Sequence, residues 1–221
     1  MIPLRSTERV YSNTPVTISL IAVNILIFLY QATLSPDALD RLVTRWGIVP
    51  DQLHLSSLLT SMFLHGGWLH VLGNMLFLWV FGRSIEDLIG SGRFLIFYLL
   101  CGLAAAVVHV VVNPYSRLPT IGASGAIAGV MGAYLLKFPR SRVVTLVTIF
   151  VFITTVDIPA AVLLVYWFVV QFFSGTLSLA ETDYTGGGVA WFAHVGGFLA
   201  GMLLIKLFPP RRRWRTWYEE D

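Results

Sequence analysis

The chain has 221 residues, of which 56% are hydrophobic and only 12% carry a charge, with a formal net charge of +3 and a mean hydropathy of +0.75. A soluble domain carries about 25% charged residues, so this chain has too little polar surface to cover a water-soluble globule. The basic residues flank apolar segments, so their excess needs no nucleic-acid partner, and the composition points to an all-α membrane protein in a lipid bilayer.

The first fifteen residues carry Arg5, Glu8 and Arg9 ahead of the first long apolar run. The apolar run that follows, 16–34, is too long for the core of a typical signal peptide and lacks a clear cleavage site. Further apolar segments are predicted at 67–85, 94–112, 121–137, 158–175 and 189–208, close to the length of about 20 residues that crosses a bilayer. The third contains the single Cys101, so no internal disulfide is available. The stretch 143–175 is too long for one crossing and short for two. Asp157 and Pro159 interrupt it, and a proline disfavours helix at the residue before it.

Charge decides the count. With six crossings, Arg5, Arg9, Arg83, Arg93, Lys137, Arg140, Arg142, Lys206, Arg211, Arg212, Arg213 and Arg215 share one side, and only Arg41, Arg45 and Arg117 face the other. A seventh crossing would move Lys206 and the "RRRWR" run outside, against the preference of basic residues for the cytoplasmic face. The expectation is therefore six spans with both termini cytoplasmic, and 143–156 lying along or dipping into the inner face. The layout is an N-terminal segment 1–15, a membrane domain 16–208 and a basic tail 209–221 that anchors at the interface. The short N-terminus without a transit-peptide pattern points to a prokaryotic plasma membrane.

This topology brings several polar residues to one depth. The second span enters from outside through "HGGWLHVLGN", the fourth with Ser124 in its first turn, and the sixth through "TGGGVAWFAHVGG". His70, Asn74, Ser124 and His194 thus lie in the outer half of the membrane on three helices, where polar groups usually face a bundle interior or a watery cavity. Peptide hydrolysis needs a nucleophile, a base to take its proton, and donors for the oxyanion. Ser124 suits the first role and His194 the second, because imidazole titrates near working pH. No acid stands beside His194: Asp157 falls near the inner face, and Glu181 and Asp183 in the outer loop. A Ser–His dyad is expected. His70 and Asn74 are four apart on one helix face, and with the free N–H of Ser124 at a helix start they suit the oxyanion. Gly125, Gly129 and Gly132, with Gly197 and Gly201, form small-residue surfaces through which the fourth and sixth spans could approach closely.

Each piece has a plainer reading. Ser124 could be a packing serine, His194 a satisfied polar residue, and His70 with Asn74 an interhelical hydrogen-bond pair. His65 would cap or brace its neighbours, His109 has no evident partner at its depth, and Asn24 and Gln171 would be interhelical glue. A metal site of His65, His70 and His194 is disfavoured, because the first two are five apart and no H-E-x-x-H or H-x-x-E-H pattern occurs. No cofactor is expected. A transporter would call for broken helices in paired repeats, which the sequence lacks.

Three ordered motifs, "HGGWLHVLGNM" at 65–75, "GASG" at 122–125 and "AHVGGFLAG" at 193–201, resemble those of rhomboid intramembrane serine proteases. "FGRSIEDLIGSGRFLIFYLLCG" at 81–102 resembles the family's link between second and third spans. The resemblance runs from about residue 50 to 205. It implies a six-transmembrane-helix rhomboid-like bundle with an outward-open cavity, Ser124 as nucleophile, His194 as base, and His70 and Asn74 at the oxyanion. It also implies substrates that are single-span transmembrane proteins, cut near their outer end where the helix unwinds. A non-catalytic relative that binds transmembrane clients is the alternative. Two positions depart from the pattern: Ser56–Ser57 stand where some members carry a Trp–Arg pair, and Ala128 where some stack a Tyr under the catalytic His.

Overall fold

The computed structural model describes residues 1–149, 152–180 and 190–211. Glu181, Asp183, the "TGGG" run and the tail from Arg212 onward lie outside the described residues. All six apolar segments are helical. They form α1 (Pro15–Ala32), α4 (Trp68–Phe77) running through a π turn at Leu78–Gly82 into α5 (Arg83–Ile89), α6 (Ser91–Val112), α7 (Ser124–Lys137), α8 (Ala160–Ala180) and α9 (Trp191–Leu204). The helices α2 (Pro36–Trp46) and α3 (Ser57–Thr60) lie in the long connection after α1. Helices α1, α6 and α8 are long and apolar enough to cross a membrane; residues 57–63 and 68–89, bent by 96°, add a fourth if counted together.

Helix α7 is buried on every side from Gly125 to Tyr134, as expected of a helix that is apolar all round. It packs most extensively on α9 and then on α6. The contact with α9 is made by glycines: a Cβ on Gly197 would overlap the Gly125 carbonyl oxygen, and one on Gly201 the Gly129 carbonyl oxygen. Backbones touch because neither helix has side chains there to hold them apart.

One end of the bundle carries a small antiparallel sheet. Strand β1 (Ile2–Ser6) pairs with β2 (Arg142–Ile149), which pairs with β3 (Phe152–Pro159) in register from Arg142 opposite Pro159 to Ile149 opposite Phe152. The stretch 143–156, expected along or dipping into the inner face, is thus mostly a hairpin. Its run of Val, Ile and Thr favours strand, and alternation buries Val143 and Thr145 while Thr148 stays exposed. Pro159 closes the strand, so α8 begins at Ala160, two residues later than predicted.

The same end gathers both ends of the described chain. Thr14, before α1, sits at φ 45° and offers no side-chain cap. The Glu86 carboxylate of α5 caps this helix instead, accepting the N–H groups of Val16 at 3.0 Å and Thr17 at 2.7 Å. A negative charge is favourable at a helix start, where N–H groups lack partners. Asp87 accepts from the Tyr11 N–H at 2.9 Å, and the Arg211 N–H donates to Leu88 O at 2.8 Å. The polar cluster lies at the other end, where α4, α7 and α9 begin and α6 stops.

Candidate active site

The segment before α7 is held from both sides. Thr120 and Ile48 exchange backbone hydrogen bonds of 2.8 and 2.9 Å, and the Gly122 N–H donates to Ser61 O at 2.9 Å. Gly122 adopts φ 128°, a left-handed conformation that L side chains rarely adopt. This turn delivers Ser124 as the first residue of α7, half-buried. Its Oγ lies 2.7 Å from His194 Nε2.

His194 is in the first turn of α9, and its N–H donates to Ala190 O at 3.2 Å. The other ring nitrogen, Nδ1, lies 2.6 Å from Gln171 Oε1 on α8. The Trp167 ring, one turn earlier on that helix, is tilted by 37° against the imidazole at 5.7 Å between centroids. Trp191 meets it edge-on at 6.5 Å. With Gln171 Oε1 as acceptor, the proton sits on Nδ1 and the Nε2 lone pair faces the Ser124 hydroxyl.

His70 and Asn74 project from one face of α4 toward Gly122. The Gly66 N–H donates to His70 Nδ1 at 3.3 Å, which leaves Nε2 as the protonated nitrogen. A Cβ on Gly122 would lie 2.7 Å from that His70 Nε2 and 3.7 Å from Asn74 Nδ2. The Asn74 Nδ2 group is buried and has no hydrogen-bond partner among the described residues. Two donors therefore converge beside the start of α7, where the Ser124 N–H lacks an intrahelical acceptor. Ser124, His194, His70 and Asn74 line one cavity of about 730 Å³, together with Trp167 and Gln171.

Other polar residues differ from their predicted surroundings. Gln171 is interhelical, as expected, but its partner is the imidazole of His194. It lies on the inward stripe of α8, with Leu164, Trp167 and Phe168, and that helical spacing was the available signal. His109, expected to lack a partner, lines the same cavity and has Nε2 2.8 Å from Thr120 Oγ1. It stands in the last turn of α6, at the end where α7 starts. Asn24 bonds within its own helix, Nδ2 to Leu20 O at 2.7 Å, rather than between helices. The backbone of His65 is clamped by the Gln31 amide, at 3.0 and 3.1 Å, and its ring meets His70 edge-on at 5.1 Å.

The two departures from the motif pattern have local substitutes. Ala128 is fully buried in α7, and the ring contacts of His194 come from Trp167 and Trp191 instead. Near Ser56–Ser57, the Ser57 hydroxyl donates to His54 O at 2.7 Å and the Thr60 hydroxyl to Trp46 O at 2.8 Å. Both bonds lie within the long connection after α1, which is held to the segment before α7 by the Ile48–Thr120 backbone pair and by Arg117 Nε donating to Asp51 Oδ2 at 3.1 Å.

A family model described as the rhomboid domain matches residues 52–211. The chain is 44% identical over 92 residues to Rhomboid protease GluP of Bacillus subtilis, covering 42% of this chain and 18% of that protein. It is 31% identical over 147 residues to RHOMBOID-like protein 5 of Arabidopsis thaliana, covering 66% and 42%. With Rhomboid protein 1, mitochondrial, of Saccharomyces cerevisiae it shares 30% identity over 151 residues, covering 66% and 40%. The matched region thus spans less than half the length of each of these relatives.

Proposed function

The chain belongs to the rhomboid family, and from that premise we propose that it is an intramembrane serine endopeptidase working by a Ser124–His194 dyad. The observation that carries this reading is the 2.7 Å contact between Ser124 Oγ and His194 Nε2. It lies in the wall of a cavity large enough for an unwound peptide segment.

In this reading the Ser124 hydroxyl passes its proton to His194 Nε2 as Oγ attacks the scissile carbonyl carbon. The carbonyl oxygen becomes an oxyanion, held by the Ser124 N–H, Asn74 Nδ2 and the protonated Nε2 of His70. Collapse breaks the C–N bond, and His194 returns its proton to the leaving amine. Water then enters, gives a proton to His194 and attacks the ester carbonyl. Collapse of the second tetrahedral species frees the new carboxyl end, and the proton returns to Ser124 Oγ.

The substrates are single-span transmembrane proteins. An intact helix engages its carbonyls in hydrogen bonds and must unwind locally before attack, so cleavage falls near the outer end of the substrate helix. The protein is integral to the membrane; we assign it six crossings within 16–208, flanked by cytoplasmic segments 1–15 and 209–221, in a prokaryotic plasma membrane. Support comes from the one-sided distribution of basic residues and from the meeting of β1 and Arg211 at one end of the bundle.

The test is co-expression with an epitope-tagged single-span substrate. Ser124→Ala and His194→Ala should each reduce cleavage by at least about 10³-fold, because members of such a unit fail together. Cleavage at the wild-type rate in either variant overturns the dyad. A wild-type protein that captures the substrate without cutting it would make this a client-binding rhomboid.

A further inference from the structure

We infer that Gln171 is the positioning residue of the dyad: its amide oxygen sets the tautomer and the orientation of the His194 imidazole from α8. The inference rests on the proteolytic reading for its consequence, but its geometry stands by itself. A histidine bonded to a serine hydroxyl accepts the proton only if Nε2 is bare, and the partner of Nδ1 decides which nitrogen is bare. That partner is Gln171 Oε1, at 2.6 Å. The amide and the ring are each less than 10% exposed, so water competes poorly for either.

Trp167 completes the hold. It stands four residues before Gln171, on the same face of α8, and covers the imidazole at 5.7 Å. Helix α7 contributes no ring, since Ala128 occupies the position one turn after Ser124. The nucleophile and the orientation of its base therefore come from different helices. Among the described residues no carboxylate lines the cavity; the other titratable groups in its wall are His70 from α4 and His109 from α6. A neutral amide orients the imidazole without burying an anion, which would carry a large desolvation cost at this depth.

The experiment compares wild type, Ser124→Ala, Gln171→Leu and Gln171→Glu by ¹⁵N NMR of histidine-labelled protein in detergent micelles. His194→Ala assigns the His194 signals among the five histidines. Wild type and Ser124→Ala should have His194 protonated at Nδ1, Gln171→Leu should lose that single tautomer, and Gln171→Glu should restore it, because the carbonyl oxygen of a carboxyl group, even a neutral one, also accepts. With the tagged substrate, Gln171→Leu should lower kcat about 10²- to 10⁴-fold, the usual span of general-base contributions, with KM changed less than about threefold. Gln171→Glu should recover most of that loss. A wild-type His194 protonated at Nε2, or a Gln171→Leu protein with unaltered tautomer and kcat, overturns the inference. A wild-type protein with the Nδ1 tautomer but no cleavage overturns the protease reading alone.

Discussion

Gly201 of α9 rests against the backbone of Gly129 of α7 so closely that a Cβ at Gly201 would overlap the Gly129 carbonyl oxygen. The obstacle is backbone, which cannot rotate away as a flexible side chain can. Gly201→Ala should therefore push α9 off α7, costing about 1–3 kcal/mol as overpacking does, and separate His194 from Ser124. Thermal unfolding in detergent checks the first effect and substrate cleavage the second. Gly92→Ala is the comparison: it meets open space at the start of α6 and should leave both measurements near wild type. Equal stability of the two variants would contradict the close packing.

Asn74 offers a buried donor with no partner inside the described protein, aimed toward Gly122 and the start of α7. A group left free in the resting state and engaged by a developing oxyanion acts on turnover. Asn74→Ala should lower kcat about 10²- to 10³-fold, as loss of one oxyanion donor does, with little change in KM. Steady-state cleavage kinetics with a purified single-span substrate decide it. A raised KM with intact kcat would reassign Asn74 to substrate binding.

Glu86 caps α1 from α5, at the end of the bundle away from the cavity. Removing its carboxylate strands the Val16 and Thr17 N–H groups. A hydrogen bond to a charged group contributes about 1.5–3 kcal/mol, so loss of both in Glu86→Ala should lower unfolding stability by roughly 3–6 kcal/mol. Glu86→Gln, which keeps one oxygen acceptor, should lose less. Unfolding by heat or denaturing detergent measures the order wild type, Gln, Ala; an Ala variant as stable as wild type would remove this contact from the account.

What was legible in the sequence was local. Hydropathy marked the apolar helices, and motif order set Ser124, His194, His70 and Asn74 on the starts of three of them. Glycines at four-residue spacing marked the faces of α7 and α9 that meet. The hairpin at 142–159 was missed because an uncharged run beside a membrane span gives the same hydropathy signal whether it lies flat or pairs as strands. Its β-branched residues carried the distinguishing information, and Ile2–Ser6, about 140 residues away, supplied the third strand.

Which polar residues touch was decided by tertiary structure alone. Gln171 and His194 are 23 residues apart on helices whose relative rotation no local pattern encodes. His109 found Thr120 only because the chain before α7 pairs with Ile48. Apolar periodicity, set by the amino acids, says which face of a helix turns inward. Helix tilt and separation, set by how closely glycine backbones pack, say which inward residue meets which.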